Sequence, residues 1–298
     1  MNPLGKIPGR PVLLCVFVMA ALSAGAQSPA VSISGALEWD KMEISALVSL
    51  NLKSAGLRLP TGRTEGEELI GAEYLTLMRP LILSIPVDSS GTVADHLAGG
   101  NFSLYKTESY ALSARTVPPA MSADMENMRA AYTISLGGLS AEFIKNRLPA
   151  SPRRALAVLP GAAYTGIIII AGGELPLHGT RRSASVLPCL FPKVWDSDMN
   201  LIYDRGMLAS GENVMVHYAP EDSIFQRTPS GLSPELSALV GDRPLKILAR
   251  GVYGQRPTDP VIDSKDALRV ISSEENRNLL RDGKVVIVLD RAALKTEF

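Results

Sequence analysis

Once an export signal is set aside, a single cysteine remains in this 298-residue chain, so no internal disulfide can staple its fold. The signal is read from the first residues. Lys6 and Arg10 give a positive opening, and Val12 to Leu22 are apolar and uncharged. Ala24-Gly25-Ala26 then supply the small residues that a signal peptidase reads, followed by Gln27. The apolar run falls short of the roughly 20 residues a bilayer span needs. Residues 1–26 are therefore expected to be removed, leaving a periplasmic protein that begins at Gln27. No cysteine stands near Gln27 to carry a lipid, so no direct membrane anchor is expected after cleavage. The fold must then rest on an apolar core. The remaining Cys189, beside Leu187, Leu190 and Phe191, reads as a buried thiol rather than a reactive one.

Thirty basic residues balance thirty acidic ones, which removes the electrostatic reason to bind nucleic acid. The run Ile167-Ile168-Ile169-Ile170 is too short to span a membrane and reads as a central, fully buried strand.

The pattern along the chain predicts an α+β fold with two small mixed domains, residues 27–148 and 155–298. The second is dominated by strands and closes with helices. Residues 31–52 read as two strands with a turn near Asp40-Lys41. Residues 64–83 have helical spacing, with Pro80 as an awkward interruption. Asp88-Ser89-Ser90-Gly91 reads as a turn, and Thr92 as the cap of a short helix through His96. Residues 99–120 look irregular and 121–128 like a helical turn. Residues 131–136 and 139–144 read as a hairpin about Gly137-Gly138. The two prolines and the basic residues of 147–154 mark the seam between domains. Beyond it, strands are expected around 164–171, 186–195, 201–203, 214–218, 244–252 and 284–289. Helices are expected from Ser264, with its hydroxyl as cap, and over 273–280. A fragment from near Ala155 is expected to fold alone.

Several segments resemble a known group. Tyr164-Thr165-Gly166-Ile167-Ile168-Ile169, Leu187-Pro188, Pro192-Lys193-Val194-Trp195-Asp196-Ser197-Asp198 and Leu201-Ile202-Tyr203 follow one of its patterns. Ala249-Arg250-Gly251-Val252 with Thr258-Asp259-Pro260-Val261-Ile262-Asp263 follow another. Asp266-Ala267, Asn278-Leu279-Leu280 and residues 284–290 resemble its closing helix and strand. In the first half, residues 64–83, then Ile85-Pro86-Val87-Asp88-Ser89-Ser90 and Thr92-Val93-Ala94-Asp95, resemble its helix and following tail. The group is the LPP20 and FlgT-like set of exported bacterial envelope proteins, some of them flagellum-associated. This chain departs from it at Gly62-Arg63-Thr64-Glu65-Gly66 and at Ala171-Gly172-Gly173-Glu174, and it lacks the lipid-bearing cysteine. The resemblance implies a fold and a compartment, and brings no catalytic residues with it.

The search for chemistry finds little. His96, His178 and His217 have no metal-ligand spacing, and no G-x-S-x-G, G-x-G-x-x-G or P-loop occurs. Asp196, Asp198 and Asn200 form the one candidate metal cluster, spaced like the start of a calcium loop. Leu201 and Met207 stand where that loop needs Gly and Glu, so a turn between strands is the preferred reading. Asp259 and Asp263 read as turn and helix-capping groups. Trp39 and Trp195 read as core residues, and low aromatic content argues against stacking platforms for sugars or single strands. The expectation is a non-enzymatic envelope scaffold or assembly protein with no cofactor and with other envelope or flagellar proteins as partners. A small-molecule or ion-binding module is the alternative, and an exported hydrolase with an unrecognised site comes third.

Overall fold

The computed structural model describes residues 30–144, 148–153 and 162–298. The expected export signal at residues 1–26 lies outside them, as does part of the expected seam at 147–154. The first half opens with strands β1 (Val31–Glu38) and β2 (Glu43–Asn51), paired antiparallel across the turn near Asp40. Successive strand side chains point to opposite faces, so Ile44, Ala46, Val48 and Leu50 are buried while the residues between them are partly open. Helix α1 (Gly62–Ser84) packs against this core with Ile70, Tyr74, Met78 and Ile82, one residue per turn, on its buried side. Pro80 lies within the helix and faces solvent, and the helix continues past it to Ser84. The buried row on the opposite side holds the helix together despite the hydrogen bond that proline removes.

A small hairpin follows, β3 (Pro86–Asp88) with β4 (Gly91–Thr92), leading into helix α2 (Val93–Ala98). Thr92 and Asp95 form a reciprocal capping box. The Asp95 N–H donates to the Thr92 hydroxyl, and the Thr92 N–H donates to Asp95 Oδ2 at 2.7 Å.

Residues 99–120 are not irregular: they form helix α3 (Leu104–Leu112), capped by Ser103, and strand β5 (Arg115–Met121). The expected helical turn near 121–128 is the connection from β5 to β6 (Asn127–Ser135), where Asp124 accepts the Glu126 N–H at 2.9 Å. The expected strand at 139–144 belongs to helix α4 (Leu136–Phe143). Leu136, Leu139, Ser140 and Phe143 face its core at helical spacing, and that burial outweighs the roughly 1 kcal/mol per glycine that Gly137 and Gly138 cost a helix.

The second half is built on a seven-stranded mixed sheet. Its strands are β7 (Ile167–Ile170), β10 (Val194–Asp196), β11 (Leu201–Tyr203), β12 (His217–Pro220), β13 (Leu245–Tyr253), β14 (Asp259–Ile262) and β15 (Val285–Leu289). A separate two-stranded hairpin pairs β8 (Glu174–Pro176) with β9 (Ser183–Ser185). The order is β11-β10-β14-β13-β7-β15-β12, with β13, β7, β15 and β12 running parallel. Parallel strands are covered on both faces, which is why β7 and β15 are continuous apolar runs. Ile168, Val286 and Val288 pack under helix α5 (Pro234–Val240), with Leu236 and Val240. Ile167, Ile169, Val285 and Ile287 face the larger core, with helices α6 (Ser264–Ile271) and α7 (Glu274–Arg281). Of the expected strand at 186–195, only its end is β10. Residues 186–191 instead run as an irregular segment, buried apart from Leu187.

The last strand, β16 (Lys295–Glu297), leaves this sheet and pairs with β1, completing the order β16-β1-β2-β6-β5. The main apolar core is continuous across both sheets. The architecture is thus α+β in two mixed units, the second rich in strands and closing with helices. Among the described residues, no helix is long and apolar enough to cross a membrane.

Candidate functional site at the seam between the two sheets

Segments of both halves meet around a single hairpin, β3 with β4. The Leu190 N–H donates to Pro86 O at 3.1 Å and the Phe191 N–H to Val87 O at 2.8 Å, so residues 190–191 run beside β3. On the other flank, the Arg256 N–H donates to Ser89 O at 3.2 Å, and the Arg256 guanidinium lies 3.9 Å from Asp95 Oδ2. The hairpin of the first half is therefore clasped from two sides by loops of the second.

Asp259 sits at the centre of this clasp. It is 1% exposed and stands in strand β14, not in the turn expected from sequence. Its Oδ1 accepts the Thr258 hydroxyl at 2.8 Å and the Lys193 N–H at 3.1 Å. Its Oδ2 lies 3.4 Å from the Trp195 indole N–H, and the Ser89 hydroxyl of the hairpin adds a fourth donor. Burial raises the Asp259 pKa, and these donors offset only part of the rise. Nearby, Asp88 accepts the Ser90 N–H at 2.9 Å, and His96 Nε2 lies 3.6 Å from its Oδ2. Burial pushes the Asp88 pKa up, but the Ser90 donors, His96 and Arg205 together leave it below the ordinary value.

Cys189 borders the same region and is fully buried, as its apolar neighbours predict. Its N–H donates to the Tyr218 hydroxyl at 3.0 Å, and that hydroxyl donates to Cys189 O at 2.8 Å. Burial, reinforced by the Asp259 charge, pushes the thiol well above its usual range, so the thiolate needed for nucleophilic or metal chemistry is disfavoured here. The carboxylate at the centre is surrounded by donors that belong to the protein. The chemistry this arrangement performs is to hold the hairpin and both loops in one geometry.

The candidate metal cluster lies one strand away, in the β10–β11 turn. Asp196 is buried, and its Oδ1 accepts the Asp198 N–H at 3.0 Å and the Asn200 N–H at 2.7 Å. The Asn200 side-chain amide donates to its Oδ2 at 2.9 Å. Asp198 Oδ2 accepts the Ser264 hydroxyl at 2.9 Å. Ser264 is therefore not the cap of α6; that role falls to Asp263, which accepts the Lys265 N–H at 2.9 Å. Asp196, Asp198 and Asn200 are brought together, but the Asp196 oxygens face inward onto the turn and Asp198 is engaged by Ser264 of α6. Among the described residues, no group of three His, Cys, Asp or Glu side chains is placed to hold a metal ion. Replacing Asp196 with Ala should cost about 1–2 kcal/mol, the loss of a buried turn acceptor, and Asp198 about 1 kcal/mol or less. Added calcium should leave the melting temperature of the wild-type protein unchanged. A calcium-dependent rise that the double substitution abolishes would restore the metal reading, because a ligand held only by the native state must stabilise it.

His96, His178 and His217 are dispersed. His178 packs edge-on against Tyr253 with ring centroids 6.0 Å apart, and His217 lies in β12, where burial lowers its pKa. Sequence reasoning passed over Asp259 as a turn residue. The available signal was Thr258-Asp259-Pro260-Val261-Ile262, a carboxylate at the head of a fully apolar strand, where an unsatisfied charge would be costly.

No curated protein matches this chain. Residues 30–142 match the family model described as the N-terminal domain of Treponema pallidum Tp0624, and residues 166–291 match the model of the second domain of the same protein. In two consecutive stretches and in the same order, the chain is similar to the first and second domains of Tp0624.

Proposed function

We propose that this protein is a non-enzymatic scaffold or assembly protein of the bacterial envelope, acting in the periplasm after removal of an N-terminal signal. The observation that supports this reading best is the closed seam. The polar segments with motif character in both halves spend their hydrogen bonds on one another, as a rigid two-part support requires. The resemblance to LPP20 and FlgT-like proteins points to other envelope proteins, including flagellar ones, as partners. Affinity capture of the native protein from envelope fractions, with partners identified by mass, tests this directly. Recovery of stoichiometric envelope partners is expected, and their absence together with a cytoplasmic location would overturn the reading. N-terminal sequencing of the same material should give Gln27 without added lipid. A small-molecule-binding module is the second reading, favoured by an open cleft beside α3.

A further inference from the structure

The cleft beside α3 shares no lining residue with the seam and measures about 480 Å³, within the range of small-molecule sites. One wall is a face of α3 that carries Tyr105, Lys106, Ser109 and Ser113. The other is the start of α4, where Gly138 bares the main chain, and Glu142 one turn further on. Tyr105 is 78% exposed, so its ring is held out at the rim with no protein surface covering it. Tyr110 beneath is buried and fixed, its hydroxyl donating to Ser135 O at 2.9 Å.

The lining discriminates between ligand classes. Lys106 and Glu142 form an ion pair across the cleft, so no net charge is left to hold a phosphate or a carboxylate. No aliphatic side chain lines the cleft to form a slot for an acyl chain: its apolar surface is that of tyrosine rings and side-chain stems, set among serine, glycine and charged residues. An uncovered tyrosine ring has an electron-rich face that attracts the electropositive C–H face of a sugar ring, while serine hydroxyls and an ion pair donate and accept toward ring hydroxyls. We propose that this cleft binds a short neutral oligosaccharide, one sugar stacked on Tyr105 and its hydroxyls held by Ser109 and the Lys106–Glu142 pair. The low aromatic content of the chain argued against a stacking platform, but a platform needs one ring in the right place rather than many.

The inference is independent of the scaffold reading. Its test is calorimetric titration of the whole mature chain with cellotetraose and with tetra-N-acetylchitotetraose, supported by amide chemical-shift mapping. At least one probe should bind with a dissociation constant on the order of a millimolar or tighter. Tyr105→Ala should weaken that binding about tenfold, Tyr105→Phe should retain it within about threefold, and Ser109→Ala should weaken it severalfold. Because Tyr105 and Ser109 are exposed, these variants should keep the wild-type circular dichroism spectrum and melting temperature. The proposal is overturned if neither probe binds, if shifts map away from α3 and α4, or if Tyr105→Ala binds like wild type.

Discussion

Replacing Trp39 with Ala should lower the unfolding free energy by about 3–5 kcal/mol, the range for removing a large buried aromatic from a core. Trp39 follows β1 and is 1% exposed. Its ring meets Tyr218 of β12 edge-on with centroids 5.7 Å apart, and its backbone N–H donates to Leu294 O at 2.9 Å, just before β16. The side chain thus packs the first sheet against the edge of the second, while the backbone of the same residue ties it to the chain that returns from it. Urea titration followed by circular dichroism measures the loss. A change below about 1 kcal/mol would mean that the two sheets do not share this core. The same contacts bear on the fragment from near Ala155. Cut there, β16 loses its partner β1, and Tyr218 and Phe191 lose Trp39 and Phe143. Such a fragment should bind a hydrophobic dye more strongly than the whole chain even where its own sheet forms.

Asp259→Ala should cost about 3 kcal/mol or more. It strands the Thr258 hydroxyl, the Lys193 N–H and the Trp195 indole in a buried site, and each lost partner carries a desolvation penalty. Asp259→Asn keeps the shape and one acceptor oxygen, enough for the Thr258 hydroxyl and the Lys193 N–H, and should cost less. The two variants also separate packing from charge through pH. Burial raises the Asp259 pKa in the native state, so between the ordinary carboxylate value and that raised value the folded protein holds a proton the unfolded chain has released. Stability contributed by this group is therefore greatest at acid pH, falls as pH rises through the raised value, and is level beyond it. Asp259→Asn should remove that segment of the pH–stability profile, and an unchanged profile would show that Asp259 does not carry it.

Local structure was legible where one pattern dominated. The alternation of β2, the long helix α1, the Thr92 cap and the apolar runs of β7 and β15 follow directly from residue type and period. The α3–α4 region misled because its local signals conflicted. Gly137-Gly138 is a strong hairpin signal, yet Leu136, Leu139 and Phe143 also repeat at helical spacing, and only the core they enter decides between the two. Phe143 stacks on Phe102 with centroids 4.7 Å apart, a contact between residues 41 positions apart that no local window contains. The candidate site divides in the same way. The turn formed by Asp196, Asp198 and Asn200 is local, its first and last members only four positions apart, and sequence spacing was enough to favour a turn.

By itself, the sequence determined an α+β chain, its buried Cys189 and its central strands. These depend on composition and on short-range period, which act along the chain. Tertiary structure alone decided that β16 crosses to the first sheet, that Asp259 is a buried hub rather than a turn residue, and that Tyr105 stands uncovered over a cleft. Each of these is a relation between segments far apart in sequence. Burial and hydrogen-bond satisfaction are properties of the assembled neighbourhood, so residue type and spacing could not reveal them.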